Sequence, residues 1–247
     1  MTSTQLQLLH MLPDPQRLTA WAGRHRLLDA SGDLGYAFHG LLRAGFGERA
    51  PRVFRYLDSQ QGLLAYSGLT ASELHQTLAL APPEIALILG LGLDQRQGGL
   101  RIRPFPTEWR DGQVLGFEVK VRPVIRESKT GKERDAFLVA VEKQPDATLE
   151  RVDVYRNWLA NQFARNGAAQ LLDCALEQFR LLDVLRRTQS SSEGQIRRPH
   201  RVNGPDAVLS GQLRVQESAA FAQMLARGVG RHRAFGYGFL MLRPSRR

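Results

Sequence analysis

The segment richest in groups able to do chemistry is Gly228-Val229-Gly230-Arg231-His232-Arg233-Ala234-Phe235-Gly236-Tyr237-Gly238-Phe239-Leu240. Its four glycines within 228–238 allow the backbone positive φ and a close approach to a ligand. Arg231, His232 and Arg233 put cationic groups on the loop, and Phe235, Tyr237 and Phe239 offer ring faces. Backbone amides, guanidinium groups and aromatic faces together form a cradle for phosphates and bases. A nucleotide-cofactor loop needs a strand before its glycines and a helix after them. Here the pattern runs helix first and strand second, which argues against that reading. The plainer alternative is a glycine-rich turn joining a helix to a strand, with the aromatics in the core.

The charge of the whole chain points to the same class of ligand. Its 247 residues hold 34 Lys plus Arg against 24 Asp plus Glu, a net charge of +10, and a field of that sign draws polyanions. Four of the basic residues are lysines (Lys120, Lys129, Lys132 and Lys143). GC-rich coding accounts for arginine over lysine as well as function does, but not for the excess over acids. Arginine's planar fork grips phosphate with two hydrogen bonds and stacks on bases. Cys174 stands alone, which excludes an internal disulfide and a cysteine-built zinc site. No H-x-x-x-H pair or carboxylate cluster occurs, since Glu48, Asp58, Glu73 and Asp94 are scattered, so no metal site is expected. The N-terminal MTSTQLQLLHML has no signal-peptide pattern, and Ile85–Leu93 is too short to span a bilayer. A cytoplasmic protein without membrane association is expected.

The elements that must position these groups follow from periodicity. Gln5–Leu12 predicts a strand and Pro15–Leu28 a helix. Leu34–Ala44 predicts a second helix, with Leu34, Phe38, Leu41 and Leu42 at i, i+4, i+7 and i+8. Val53–Leu57 and Leu63–Ser67 predict a hairpin around Gly62. Thr70 and Glu73 have capping-box spacing for a helix that ends before Pro82-Pro83. Leu100–Phe105 and Val114–Val124 predict strands joined through Arg110-Asp111-Gly112, so the first half reads β-α-β-β-α-β. Residues 126–134 predict an exposed loop, Leu149–Phe163 a helix, and Gln189–Pro199 a flexible polar tip. Leu171–Leu185 carries apolar residues at both two-residue and helical spacings and stays ambiguous. Asp206–Val215 predicts a strand, Glu217–Arg227 a helix and Phe239–Leu242 a closing strand.

The tail "GVGRHRAFGYGFLMLRP", after "AVLSGQLRVQESAAFAQMLARG", closely resembles the C-terminal signature of repeat-processing CRISPR endoribonucleases, the CasE type of type I-E systems above all. "RIRPFPTEWRDGQVLGFEVKVRPVIR" resembles that family's strand pair around an aromatic-rich basic segment. "VYRNWLANQFARNG" resembles the helix opening its second domain, and Tyr36-Ala37-Phe38-His39 lies in an early helix where such enzymes carry a histidine. Three departures leave room for the related processing enzyme of type IV systems. Pro13–Asp33 is a longer insert than usual, Arg122 replaces the asparagine of "NPV", and Ala169–Arg198 looks more helical than expected.

The resemblance implies an α+β fold of two tandem ferredoxin-like (RRM-like) domains, 1–145 and 146–247. It implies an endoribonuclease that needs neither metal nor cofactor, because the ribose 2′-hydroxyl is the nucleophile and leaves a 2′,3′-cyclic phosphate (or 3′-phosphate) and a 5′-hydroxyl. His39 is then the first candidate base, with Tyr36 one turn before it. His232 is the second candidate, or a phosphate contact. Arg24 and Arg26 flank His25, the third, as a possible cationic clamp, and an arginine-centred site is the corresponding variant. The implied substrate is a CRISPR repeat hairpin in precursor and mature crRNA, held by Lys129, Lys132, Arg134, Arg197, Arg198, Arg201, Gly230, Arg231, His232, Arg233 and Phe235. Other effector-complex subunits are the implied protein partners. The alternative is a hairpin-binding subunit without catalysis.

Overall fold

The computed structural model describes residues 5–28, 32–91, 99–187 and 199–245. Two copies of one topology follow each other along the chain. The first comprises β1 (Gln7–Met11), α1 (Pro15–Arg24), α2 (Gly35–Phe46), β2 (Val53–Tyr56), β3 (Leu63–Ser67), α3 (Ala71–Ala79), α4 (Pro83–Ile88) and β4 (Arg101–Pro104). Its sheet has the order β2-β3-β1-β4, antiparallel throughout. The second comprises β5 (Val114–Val121), the small hairpin β6 (Val124–Arg126) and β7 (Glu133–Asp135), α5 (Ala136–Lys143), α6 (Arg151–Phe163), β8 (Ala169–Arg187), β9 (Pro199–Val215), α7 (Ser218–Arg227) and β10 (Leu240–Pro244). Its sheet order, β10-β5-β9-β8, repeats the first. In both, the opening strand lies between the third and fourth strands of its motif. This is the tandem ferredoxin-like, α+β architecture expected from the sequence.

Local signals set the element starts. Asp14 caps α1 by accepting from the amides of Gln16 and Arg17, and Thr70 and Glu73 form the reciprocal capping box of α3. Glu217 caps α7 through the amides of Ala219 and Ala220. On the first sheet Leu9, Met11, Leu63 and Ala65 are buried against Leu18, Trp21, Phe38, Leu41 and Leu42 of α1 and α2. The second core joins Phe117, Val119, Leu209 and Leu213 to Tyr155, Leu159 and Phe163 of α6 and Phe221 and Leu225 of α7. Among the described residues, no helix is long and apolar enough to cross a membrane.

Four expectations are corrected. The strands expected as a pair around Arg110-Asp111-Gly112 separate: β4 pairs with β1, while β5 pairs with β9 and β10. β5, the first strand of the second sheet in chain order, opens at Val114. Residues 126–134 are not one loop but the β6–β7 hairpin and its tip. A further helix, α4, follows Pro82. Ala169–Arg187, ambiguous in sequence and seemingly helical, is a single strand. Its ladder slips between Leu171 and Asp173 and again between Leu176 and Gln178. Each bulge adds one residue and resets the two-residue alternation, so inward positions recur at mixed spacings that mimic a helix. β8 and β9 stay paired out to Arg187 and Pro199, whereas β5 covers only Ala207–Arg214 of β9. The distal ribbon thus extends past the sheet.

Candidate active site

The glycine-rich loop leaves α7 and folds back before entering β10. Val229 N–H donates to Gly238 O at 2.8 Å, and Gly238 N–H donates to Lys120 O on β5 at 2.7 Å. A 3-10 turn over Arg233–Phe235 is bracketed by His232 (φ 60°) and Gly236 (φ 84°). Gly238 also has a positive φ, and a Cβ there would overlap the Val229 carbonyl, so the return of the chain requires glycine. Tyr237 and Phe239, expected as ring faces for bases, are core residues, 0% and 1% exposed. Phe235 alone of the three is half-buried and faces the other motif.

Phe235 meets the helix that carries the candidate base. Its ring stacks on Tyr36 with centroids 5.9 Å apart and approaches His39 edge-on at 5.5 Å. Tyr36 and His39 are themselves 6.3 Å apart. Glycine makes this approach possible, since a Cβ on Gly35 would overlap the Phe235 carbonyl oxygen. Partial burial is the main cause holding the His39 imidazole below its ordinary pKa, and the nearby Arg43 guanidinium pushes the same way. His39 is therefore a neutral imidazole at neutral pH, able to accept a proton.

A carboxylate that the sequence did not single out anchors the loop. Glu133 of β7 accepts from Arg231 Nε at 2.5 Å and shares a 2.5 Å hydrogen bond with His232 Nε2. These partners, His232 first, hold the Glu133 carboxyl down to about 2 against the opposing effect of burial. β7 is fixed in turn by Asp135, which accepts from Arg151 Nη1 at 2.7 Å and from Tyr155 Oη at 2.9 Å. His232, the second candidate base or a phosphate contact, is 4% exposed at its side chain and hydrogen-bonded to Glu133. Glu133 is one of two acids, with Glu127, inside the basic run RESKTGKER, and only the hairpin register turns it toward the loop.

Beside the loop is a cavity of about 750 Å³ whose lining includes Arg52, Arg165, Arg227, Arg231, Arg233 and Glu133, with Phe235 at its edge. Arg233 donates to the carbonyl of Arg227 at 2.7 Å. Burial, then the like charges of Arg227, Arg231 and Arg52, lower its pKa. Gly230 also lines this cavity and has a positive φ, and a Cβ there would press on the Trp158 ring.

The remaining expected residues are dispersed. Arg24 is ion-paired to Glu84 of α4, and His25 packs on Trp21 at 4.9 Å. Arg26 takes a left-handed φ of 54° just before Leu27, which abuts Gly40 of α2. Lys129 and Lys132 are exposed at the β6–β7 tip. Arg134 is turned into ion pairs with Glu142 and Glu127. Arg201 lies in β9 opposite Leu185, while Arg197 and Arg198, with the expected tip at 188–198, lie outside the described residues. Among the described residues, no three His, Cys, Asp or Glu side chains converge as metal ligands.

Below the start of α2 is an ionic layer, centred on the buried Asp206, that sequence reading missed. Lys120 is 3.4 Å from Asp206 and 4.8 Å from the Tyr237 ring centre, and Arg180 Nε donates to Asp206 at 2.7 Å. Asp33 belongs to the same field: burial raises its pKa, and Lys120 opposes that rise. No periodicity signals such a layer, because its members come from a loop and three strands.

Two ferredoxin-like motifs in tandem, with a basic glycine-rich loop of the second laid across a histidine helix of the first, define the class of protein. The chain belongs to the CRISPR associated protein family, whose model matches residues 7–244. Among solved structures it is similar to the CRISPR endoribonuclease Cse3 bound to 19 nt RNA, at 20% identity over 98% of this chain and 100% of that one, with a TM-score of 0.59. It is similar to Thermus thermophilus Cse3 bound to an RNA representing a pre-cleavage complex, at 19% identity over 97% and 100% with a TM-score of 0.57. A chain of a CRISPR RNA-guided surveillance complex in a pre-nicking state aligns at 15% identity over 97% and 99%, with a TM-score of 0.50. No curated protein sequence matches the chain.

Proposed function

We propose that the protein is a CasE-type endoribonuclease that cuts CRISPR repeat RNA in the cytoplasm without a metal ion. The observation that carries this reading is the meeting of Tyr36 and His39 with Phe235 at the edge of an arginine-lined cavity. The ribose brings its own nucleophile. Neutral His39 takes the 2′-hydroxyl proton as the oxygen attacks the adjacent phosphorus, and the P–O5′ bond breaks. The 5′-oxygen leaves with a proton, for which Tyr36 is the nearest hydroxyl on the same helix face. The products are a 2′,3′-cyclic phosphate and a 5′-hydroxyl end. Arg231 and Arg233 supply positive charge for the phosphorane, the kind of preplaced electrostatic stabilisation whose removal costs about 3 kcal/mol. Lys129, Lys132 and Arg201 of the β8–β9 ribbon, together with Arg197 and Arg198, extend the contact to the repeat hairpin. A-form RNA is held through its shape and phosphates rather than its bases.

The likeness to Cse3 with bound RNA and to a surveillance-complex chain supports retention of the product within an effector complex. The test is cleavage of the cognate repeat RNA in EDTA, alongside a substrate carrying a single 2′-deoxy nucleotide at the cut. The proposal expects full activity in EDTA and none on the deoxy substrate. Loss of cutting in EDTA, or cutting of the deoxy substrate, overturns it.

A further inference from the structure

The cavity beside the glycine-rich loop holds more positive charge than its own carboxylate can balance. Glu133 is saturated by Arg231 and His232. Among the described residues, Arg52, Arg165 and Arg227 form no ion pair, yet all three line the same concavity as Arg233. Their origins differ: Arg52 precedes β2, Arg165 follows α6 and Arg227 ends α7. Four arginines from separate elements, Arg233 included, line one concavity, and Arg227 and Arg52 act on Arg233 as like charges, a repulsion that a bound anion would relieve.

The shape restricts which anion. The space is a concavity of about 750 Å³, a shape that a flexible single strand can follow more closely than the convex cylinder of an A-form stem. Past Gln162, Arg165 and Arg231, residues that line both spaces, it adjoins a second groove of about 580 Å³. That groove has apolar walls from Val139, Val154 and Trp158, and amide groups from Asn157 and Asn161. Apolar walls with amide edges suit an unstacked base, which single strands expose and duplexes do not. At the other end, Phe235 lines the cavity and touches His39.

We propose that this cavity is a single-strand subsite, in which Arg52, Arg165 and Arg227 grip backbone phosphates of the unpaired RNA flanking the cut while the adjoining groove takes a base. It rests on the endoribonuclease reading for its position along the RNA, but the binding itself is separable from cleavage.

The experiment compares two synthetic RNAs: the cognate repeat hairpin alone, and the same hairpin with single-stranded flanks on both sides. Binding of wild type, the single variants Arg52→Ala, Arg165→Ala and Arg227→Ala, and the triple variant is followed by fluorescence anisotropy at several salt concentrations. Circular dichroism checks that each variant is folded. Wild type should bind the flanked RNA at least about tenfold more tightly than the bare hairpin. The triple variant should lose that difference and bind the bare hairpin as wild type does. Its salt slope on flanked RNA should fall by about 2, given roughly 0.7 per single-strand phosphate contact, and each single variant should show part of the loss. Equal wild-type affinity for the two RNAs overturns the proposal, and so does an equal loss on both, which would assign the arginines to the duplex. If wild type shows flank-dependent binding that the triple variant loses but cleaves neither RNA, the subsite stands and the endoribonuclease reading falls.

Discussion

At the scale of single residues, the decisive feature is an imidazole kept neutral by its surroundings. Burial and Arg43 both lower the His39 pKa, so its basic form persists below the ordinary imidazole value near 6.5. The sign follows directly: cleavage is at its plateau above the depressed pKa and is lost as pH falls through it. The single-turnover rate against pH should therefore have an acidic limb centred below about 6.5, and a limb centred above that value would contradict the environment seen here. His39→Ala should slow cleavage by about 10²- to 10⁴-fold, the usual contribution of a general base, while RNA affinity changes little. His232→Ala should behave differently, because that imidazole, nearly buried in the cavity wall, is bound to Glu133. Its expected signature is a lower melting temperature together with slower cutting, measured by thermal denaturation and by the same rate assay.

At the scale of elements, the site depends on how firmly the glycine-rich loop is held against α2. Glu133 fastens it from β7, and its carboxyl is depressed to about 2 by His232 and Arg231. A depressed acid stabilises the fold above its unfolded pKa, near 4.3, and this contribution is lost as pH falls from there toward 2. Glu133→Gln should cost on the order of 1.5–3 kcal/mol at neutral pH, the range for hydrogen bonds to charged groups. It should also flatten the acid side of a melting-temperature profile between roughly pH 4 and 2. A wild-type-like acid profile in Glu133→Gln would show that the clamp contributes nothing to the fold.

Gly35→Ala tests the opposite side of the contact. Its Cβ would strike the Phe235 carbonyl in a position where a helix otherwise accepts alanine readily. Cleavage should fall more than stability does. At this scale the sequence was most legible where one rule operates alone: the capping box at Thr70, the heptad-like stripe of α2 and the alternation of β5 all predicted their elements. It was least legible where two rules overlap, as in β8, whose bulges disguise a strand. Glu133 was equally hidden, since its partners are about a hundred residues away in the chain and no local pattern encodes that meeting.

At the scale of the whole molecule, the site belongs to neither motif alone, because Tyr36 and His39 come from the first and Phe235 from the second. Their relation is set by packing between the motifs as much as by the loop. Tyr66 of β3 stacks on Phe239 with centroids 4.3 Å apart, and its hydroxyl donates to the Leu240 carbonyl at 3.0 Å. The ionic layer of Lys120, Asp206 and Arg180 lies in the second motif, with Asp33 of the first in its field. The sequence made the tandem repeat of the fold legible, but not this interface, since neither Tyr66 nor Lys120 interrupts an ordinary strand pattern.

One consequence separates positioning from chemistry. Tyr66 is remote from the reacting groups by role, packing on Phe105 and on Phe239 where the loop enters β10, yet removing its ring opens a void between the motifs. Tyr66→Ala should cost about 3–5 kcal/mol, as large aromatic truncations do, and Tyr66→Phe, which keeps the ring and loses the hydroxyl, about 1 kcal/mol. If the motifs must be held in register for His39 to reach the RNA, Tyr66→Ala should cut far more slowly than its folded fraction accounts for. Tyr66→Phe should restore nearly the whole rate, with the acidic limb of the pH profile unmoved in both. A Tyr66→Ala protein that is folded at the assay temperature and cleaves at the wild-type rate would show that the loop alone, without the packed interface behind it, sets the site.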